Sequence, residues 1–230
     1  MSQASVPPPG TPVPFAITKW AAVNKRRVDE LVWRNEVGGI TARLVADDVK
    51  PLYAKWSPHD LEPEAERLSW LSSRFPSPRM ADYEELDDGW LIVTVGLPGR
   101  PAVEWQDRPD IAARGLAMAL AQLHSLDATD TLFDAPEWVG DQHDVRDLSI
   151  VHGDACVPNL LLGDDGGLVG MVDVGHLGVA DRWADLAVAS WSLEHNFGPG
   201  ADQEFWAAYG EAPDPDRIRR YRDLYFAPSS

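Results

Sequence analysis

Cysteine is nearly absent from this chain of 230 residues: Cys156 stands alone, so no internal disulfide can form. That excludes a small secreted scaffold stapled by disulfides and makes a reducing cytoplasm the natural home. Long apolar runs are missing too, and no stretch approaches the roughly 20 residues that a membrane helix needs. Positive charge is scarce, with 20 basic against 37 acidic residues and a formal net charge of −17. Nucleic-acid binders carry a basic face, which disfavours that class. A field of this sign would concentrate a cationic ligand, although acidity is equally a plain solubility trait. Residues 1–14 are Pro-rich, lack the basic start and apolar stretch of a signal peptide, and read as a flexible leader. No internal repeat is present.

Apolar residues make up 44% of the chain, enough for a sizeable core in one two-lobed domain or two small ones. The first half reads as strands with one helix. Residues 27–37, 39–46 and 51–56 are short β-branched or aromatic segments separated by turn residues, and 90–95 is a further strand. Residues 62–74 carry Leu68 and Leu71 at helical spacing, with Phe75 just beyond. The turn residues Gly96, Pro98 and Gly99 mark a boundary between a lobe over 15–96 and a lobe over 97–230. The second half is mostly helical, over 110–125, 184–195, 202–209 and 214–225, with a hairpin of 160–162 and 168–172 across Gly163 to Gly167. An antiparallel sheet with one helix, followed by a helical lobe, is an α+β arrangement with segregated layers.

The strongest chemical signal is His152-Gly153-Asp154-Ala155-Cys156-Val157-Pro158-Asn159. An Asp followed five residues later by an Asn, in a loop between apolar segments, is the spacing of a kinase catalytic loop. There the Asp orients the attacking hydroxyl and takes its proton, and the Asn offers a hard oxygen to Mg2+. Met171-Val172-Asp173-Val174-Gly175 follows the hairpin, where a kinase carries its metal-binding Asp. Either motif alone is an ordinary turn. Both, in this order and one hairpin apart, point to phosphoryl transfer.

In the first half, Lys55 closes the apolar stretch Leu52-Tyr53-Ala54 and is a candidate for pairing with α- and β-phosphates. Glu64 on the next helix is its best-placed partner, with Glu62 and Glu66 as competitors. Gly38 and Gly39 lie between two strands, where backbone N–H groups could approach phosphate oxygens; a plain hairpin turn explains them equally well. The pattern is not a Walker A loop, and no Gly-x-Ser-x-Gly elbow occurs. His59, His143, His176 and His195 are scattered without zinc-ligand spacing. His124 reads as a core or helix-end residue. Cys156 has no evident His partner that would make it a nucleophile.

On these residues the chain resembles the aminoglycoside 3'-phosphotransferases, the kanamycin and neomycin kinase type. The resemblance runs from about residue 52 to 226. Its clearest stretches are Glu64-Ala65-Glu66-Arg67-Leu68-Ser69-Trp70-Leu71, Leu123-His124-Ser125-Leu126-Asp127, the loop from His152 to Asn159, Gly178-Val179-Ala180-Asp181-Arg182 and Asp185-Leu186-Ala187. It implies a protein-kinase-like fold, ATP as phosphoryl donor with GTP used by some members, Mg2+, and a small-molecule acceptor. By the same token Asp154 matches the catalytic Asp, and Asn159 and Asp173 match the metal ligands. Lys55 and Glu64 match the phosphate-binding pair. His152, Arg182 and Asp185 match residues that support the catalytic loop. Thr94, Val95 and Gly96 fall where the hinge backbone holds the adenine.

The departures from the family fall on the acceptor side. Only residues 135–151 bridge Asp134 to the catalytic loop, where the family has a few dozen more. His176 stands where an Arg is usual. The acidic residues that bind aminoglycoside amines align with His195 and Asn196, leaving Glu194 as the nearest carboxylate, and Tyr225-Phe226 replaces an acidic end. The expected activity is therefore ATP-dependent phosphorylation of a hydroxyl on an aminoglycoside or related antibiotic. The rivals are a kinase for another small alcohol, choline-like amine or sugar, and a nucleotide-binding inactive relative. Oligomeric state, hydroxyl position and nucleotide preference are not encoded in any motif.

Overall fold

The computed structural model describes residues 5–35, 37–129, 131, 133–140, 145 and 148–227. The chain divides into two compact units, one of Met1–Trp70 and Pro78–Gly96, the other of Leu71–Ser77 and Leu97–Ser230. The segment Leu71–Ser77 thus groups with the second unit, because the Pro76 carbonyl accepts the Met171 N–H at 3.1 Å.

The first unit is an antiparallel sheet with two helices. Strands β1 (Arg27–Arg34), β2 (Ile40–Val45), β3 (Leu52–Ser57), β4 (Arg79–Leu86) and β5 (Gly89–Val95) are arranged β1-β2-β3-β5-β4. Alternation sends Ile40, Ala42 and Leu44, Leu52 and Ala54, and Leu91 and Val93 to one face, the period-two signature of a half-buried strand. Helix α1 (Phe15–Val23) covers that face with Ile17, Trp20 and Ala21. Helix α2 (Glu62–Leu71) carries the residue that meets Lys55, which points away from Ala54 on β3.

Two of these elements are additions to the single helix and four strands expected. Helix α1 has nine residues, no side-chain cap after Pro14, and the β-branched Ile17 and Thr18, so its local propensity is weak and burial decides it. Strand β4 is an acidic edge strand with little buried surface and an irregular register between Met80 and Asp82, so it shows no apolar alternation. The expected leader is also held from Ser5 onward: Ser5 and Arg34 exchange two backbone hydrogen bonds of 3.0 and 2.9 Å. Pairing with the exposed side of β1 outweighs the looseness that prolines suggest.

In the second unit, helix α3 (Pro109–His124) packs on α5 (Gln203–Tyr209), and α4 (Trp183–Phe197) packs on α6 (Pro215–Tyr225). Strand β6 (Arg100–Pro101) pairs with β8 (Leu160–Leu162), which forms the expected hairpin with β9 (Leu168–Met171). Strand β7 (Leu148–Val151) pairs with β10 (Gly178–Asp181). Strand β7 runs directly into His152, so the ladder holds the root of the catalytic-loop motif. Gly115 on α3 permits close approach: a Cβ there would lie 2.8 Å from a methyl of Leu162. Among the described residues no helix is long and apolar enough to cross a membrane.

Candidate active site

The C-terminal unit builds the loop from Asp185 outward. Asp185 is fully buried on α4 and accepts the backbone N–H of His152 at 2.7 Å on Oδ2 and that of Gly153 at 2.9 Å on Oδ1. Nε2 of His124 also meets Oδ2, at 3.1 Å, and the Tyr209 hydroxyl lies 2.8 Å from the ring's Nδ1. His124 is thus part of the brace, a role that its place on an apolar helix face conceals. His152 is fully buried as well. Its Nδ1 accepts the Asp154 N–H at 3.3 Å, so the ring proton sits on Nε2, which donates to the Val172 carbonyl at 3.0 Å. One imidazole therefore ties the Asp154 backbone to the strand leading into Asp173. Gly153 has φ +78°, and a Cβ would fall 2.3 Å from the His176 carbonyl oxygen, so only glycine fits.

These bonds leave the Asp154 side chain part-exposed at the mouth of the loop, with both oxygens engaged. Asn159 donates from Nδ2 to Oδ2 at 2.9 Å and to the Asp154 carbonyl at 3.0 Å. The Tyr225 hydroxyl donates to Oδ1 at 2.7 Å. Burial, then the Asp154 carboxylate, push the Tyr225 phenol far above its ordinary range, which keeps the proton on the hydroxyl. Burial, then Asp154, raise the Cys156 thiol likewise, so Cys156 stays a thiol and is no nucleophile.

Asn159 and Asp173 are brought together by the backbone. The Val172 N–H donates to the Asn159 carbonyl at 2.9 Å, setting Asp173 at the next position. Asp173 is one of three described non-glycine residues with positive φ, at +61°. Such a conformation costs about 1 kcal/mol or more and gathers at functional sites. With the Asn159 nitrogen on Asp154, its amide oxygen is the end available to a cation. An amide oxygen and a carboxylate are hard donors that suit Mg2+, which takes one or two protein oxygens and completes its shell with phosphates and water. Among the described residues no cluster of three or more His, Cys, Asp or Glu could hold a metal by itself, so such a cation would depend on phosphate oxygens.

In the N-terminal unit, Lys55 on β3 pairs with Glu64 on α2 at 2.6 Å, both side chains largely buried, while Glu62 and Glu66 are exposed. Thr94 and Val95 end β5, opposite Tyr53 and Leu52, and the Gly96 N–H donates to the Pro51 carbonyl at 2.9 Å.

Several expected site residues point elsewhere. The Gly39 N–H donates to the Asn35 side chain at 2.6 Å and that of Gly38 to the Asn35 carbonyl at 3.3 Å, so both N–H groups have partners within the turn. Arg182, expected to support the loop, stands just before the N-terminus of α4 and pairs with Glu211 at 2.6 Å. Glu194 faces Arg222 at 3.5 Å, and the Asn196 amide donates back to the Ser192 carbonyl at 2.7 Å. His195 stacks on Trp191 at 5.0 Å. Of the acceptor-side residues, Tyr225 is the one that touches Asp154. Trp138 was missed: its Nε1–H donates to the Gly153 carbonyl at 2.8 Å and its ring meets Tyr225 edge-on. His143 lies outside the described residues.

The family model for the phosphotransferase enzyme family matches residues 24–146 and 134–221. The chain belongs to that family. The match comes in two pieces that meet over 134–146, the stretch where the connection is short. The aminoglycoside 3'-phosphotransferase of Streptomyces fradiae is 31% identical over 252 aligned positions, covering 90% of this chain and 94% of that protein. Since 252 exceeds the 230 residues here, the relative carries residues that this phosphotransferase lacks. Among solved structures, an aminoglycoside-3'-phosphotransferase of type VIII superposes with a TM-score of 0.74 at 27% identity, covering 92% of this chain and 98% of that one. The aminoglycoside phosphotransferase APH(3'')-Id of Streptomyces rimosus, in complex with ADP and streptomycin, gives 0.69 at 25% identity, covering 91% and 96%. The fold of this enzyme is accordingly protein-kinase-like.

Proposed function

We propose that this enzyme transfers the γ-phosphoryl group of ATP to a hydroxyl of an aminoglycoside or related antibiotic. The observation that carries the reading is the Asp154 carboxylate, presented on a loop that Asp185 and His152 hold rigid, with Asn159 on one oxygen and a hydroxyl on the other. The named relatives support the acceptor class, and the ADP held by the Streptomyces rimosus enzyme supports the nucleotide.

In this reading the acceptor hydroxyl donates to Asp154, which orients it in line with the phosphorus and takes its proton late, as suits a loose transition state. Lys55, oriented by Glu64, neutralises charge on the α- and β-phosphates. Asn159 and Asp173 would hold Mg2+, which would supply positive charge to offset that of the phosphates. The hinge over Thr94, Val95 and Gly96 receives the adenine. ATP use and a lone cysteine are consistent with a reducing, cytoplasmic setting.

A kinase for a different small alcohol is the second reading, favoured by the aromatic side chains of Trp138, Trp191 and Phe226 around Tyr225, where Tyr225-Phe226 replaces the acidic end that the resemblance implies for the family. The test is ADP release from Mg-ATP against streptomycin, kanamycin, other antibiotics and small alcohols, with Asp154→Ala in parallel. Acceptor-dependent release is expected, with a loss of roughly 10²–10⁴-fold in the variant and ATP binding retained. Turnover retained in Asp154→Ala overturns the role of that residue. ATP binding with no stimulation by any acceptor favours the inactive relative.

A further inference from the structure

In this structure a hydroxyl of the chain itself donates to the carboxylate to which the proposed function assigns the acceptor hydroxyl. The Tyr225 hydroxyl is 2.7 Å from Oδ1 of Asp154, while Oδ2 is taken by Asn159. The phenol ring is clamped. It meets Trp138 edge-on at 5.1 Å and Phe226 at 5.2 Å, with Trp191 at 6.3 Å. Trp138 is itself anchored on the catalytic loop through the Gly153 carbonyl. Tyr225 is also the last residue of α6, and final helix turns fray more readily than helix interiors. The ring is thus held by contacts yet sits where the backbone can yield.

Resting on the catalytic reading of Asp154 above, we propose that Tyr225 is a placeholder for the acceptor, which keeps water off Asp154 until an acceptor hydroxyl displaces it. The physical need is clear. A carboxylate that can accept a proton from an alcohol can accept one from water, and an unguarded site would hydrolyse ATP to ADP and phosphate. Tyr225 satisfies the carboxylate with a charge-assisted hydrogen bond, and its own ring is packed among Trp138, Trp191 and Phe226. It is a poor acceptor in its own right. Its proton is strongly held, and a phosphate there would set a dianion against Asp154 in apolar surroundings. The same arrangement makes Tyr225 specificity-determining, because an acceptor must replace both a hydrogen bond and ring contacts to reach Asp154.

The test uses the full chain with Mg-ATP and no acceptor, comparing wild type, Tyr225→Phe and the double variant Tyr225→Phe with Asp154→Asn. Tyr225→Phe keeps the ring and deletes the hydroxyl. It should raise acceptor-free ADP release about tenfold, the size of one charge-assisted hydrogen bond, and lower KM for the antibiotic that supports turnover. The double variant should lose the gain. Trp138→Phe removes the anchor on the Gly153 carbonyl and loosens the clamp while leaving Tyr225 and Asp154 themselves in place, should move the same rate in the same direction, and decides the matter if Tyr225→Phe does not fold. Acceptor-free release unchanged or lowered in both single variants, with acceptor-dependent turnover intact, overturns the placeholder and leaves the phosphotransferase reading standing. Phosphate found on Tyr225 itself by mass spectrometry also overturns it. No ADP release from wild type with any acceptor overturns the underlying reading together with it.

Discussion

Asp185 gathers two backbone N–H groups and an imidazole on two buried oxygens, all from residues more than 30 positions away. Replacing it with Ala would leave buried donors without partners, each such loss costing about 1–3 kcal/mol. Asp185→Ala should therefore destabilise the protein by about 3 kcal/mol, lowering Tm by roughly 6–12 °C for a chain of this size. Differential scanning calorimetry checks the stability. Kinetics check the consequence: kcat should fall, because the loop that carries Asp154 and Asn159 is loosened. A fall in Tm with kcat unchanged would make Asp185 a stability residue alone. Arg182, three residues earlier, shows why position does not give direction, since its guanidinium goes to Glu211.

Among the elements, α6 does most to shape the surroundings of Asp154. Its start is encoded locally: Asp214 caps the helix by accepting the N–H groups of Asp216 and Arg217 at 3.0 and 3.1 Å, with Pro215 at the first turn. One face then delivers Tyr221 to Asp181 on β10 at 2.9 Å, Arg222 to Ser190 on α4 at 2.9 Å, and Tyr225 to Asp154. Removing the cap with Asp214→Ala should cost about 1 kcal/mol, or roughly 2–4 °C in Tm. Thermal denaturation followed by circular dichroism measures it. An unchanged Tm would mean that the contacts of α6 hold the helix without its cap.

For the whole molecule, the three tyrosines of α5 and α6 set an alkaline limit. Burial raises Tyr209 to about 12, despite the opposing charge of Arg182. Burial, then Asp181, raises Tyr221 further, and Tyr225 is raised by burial and Asp154. Unfolded tyrosine ionises near pH ~10. Groups raised above their unfolded value contribute stability that is complete below about pH 10 and lost as pH climbs through the folded values. The protein should therefore unfold between about pH 10 and 12, with these tyrosines ionising in the same step as the loss of helix. Simultaneous tyrosinate absorbance and circular dichroism would reveal it. Smooth ionisation near pH ~10 with the helices intact would contradict the burial of these rings.

Residue order alone determined what depends on short range. The five-residue step from Asp154 to Asn159, the hairpin leading to Asp173, and the periodic helices α3, α4 and α6 are all legible because a few adjacent backbone angles produce them. The same holds for the α+β class, since alternation and helical spacing are local patterns. Tertiary structure decided the rest. Helix α1 and edge strand β4 exist through packing and pairing, not propensity. Glu194, Arg182 and Asn196 take Arg222, Glu211 and Ser192 as partners, which only the packed structure discloses. His124 reaches Asp185, and Tyr225 reaches Asp154 from 71 positions away, only once α4 and α6 have packed. A side chain's direction is chosen by whichever neighbours the folded core brings within hydrogen-bond reach, and no local spacing carries that information.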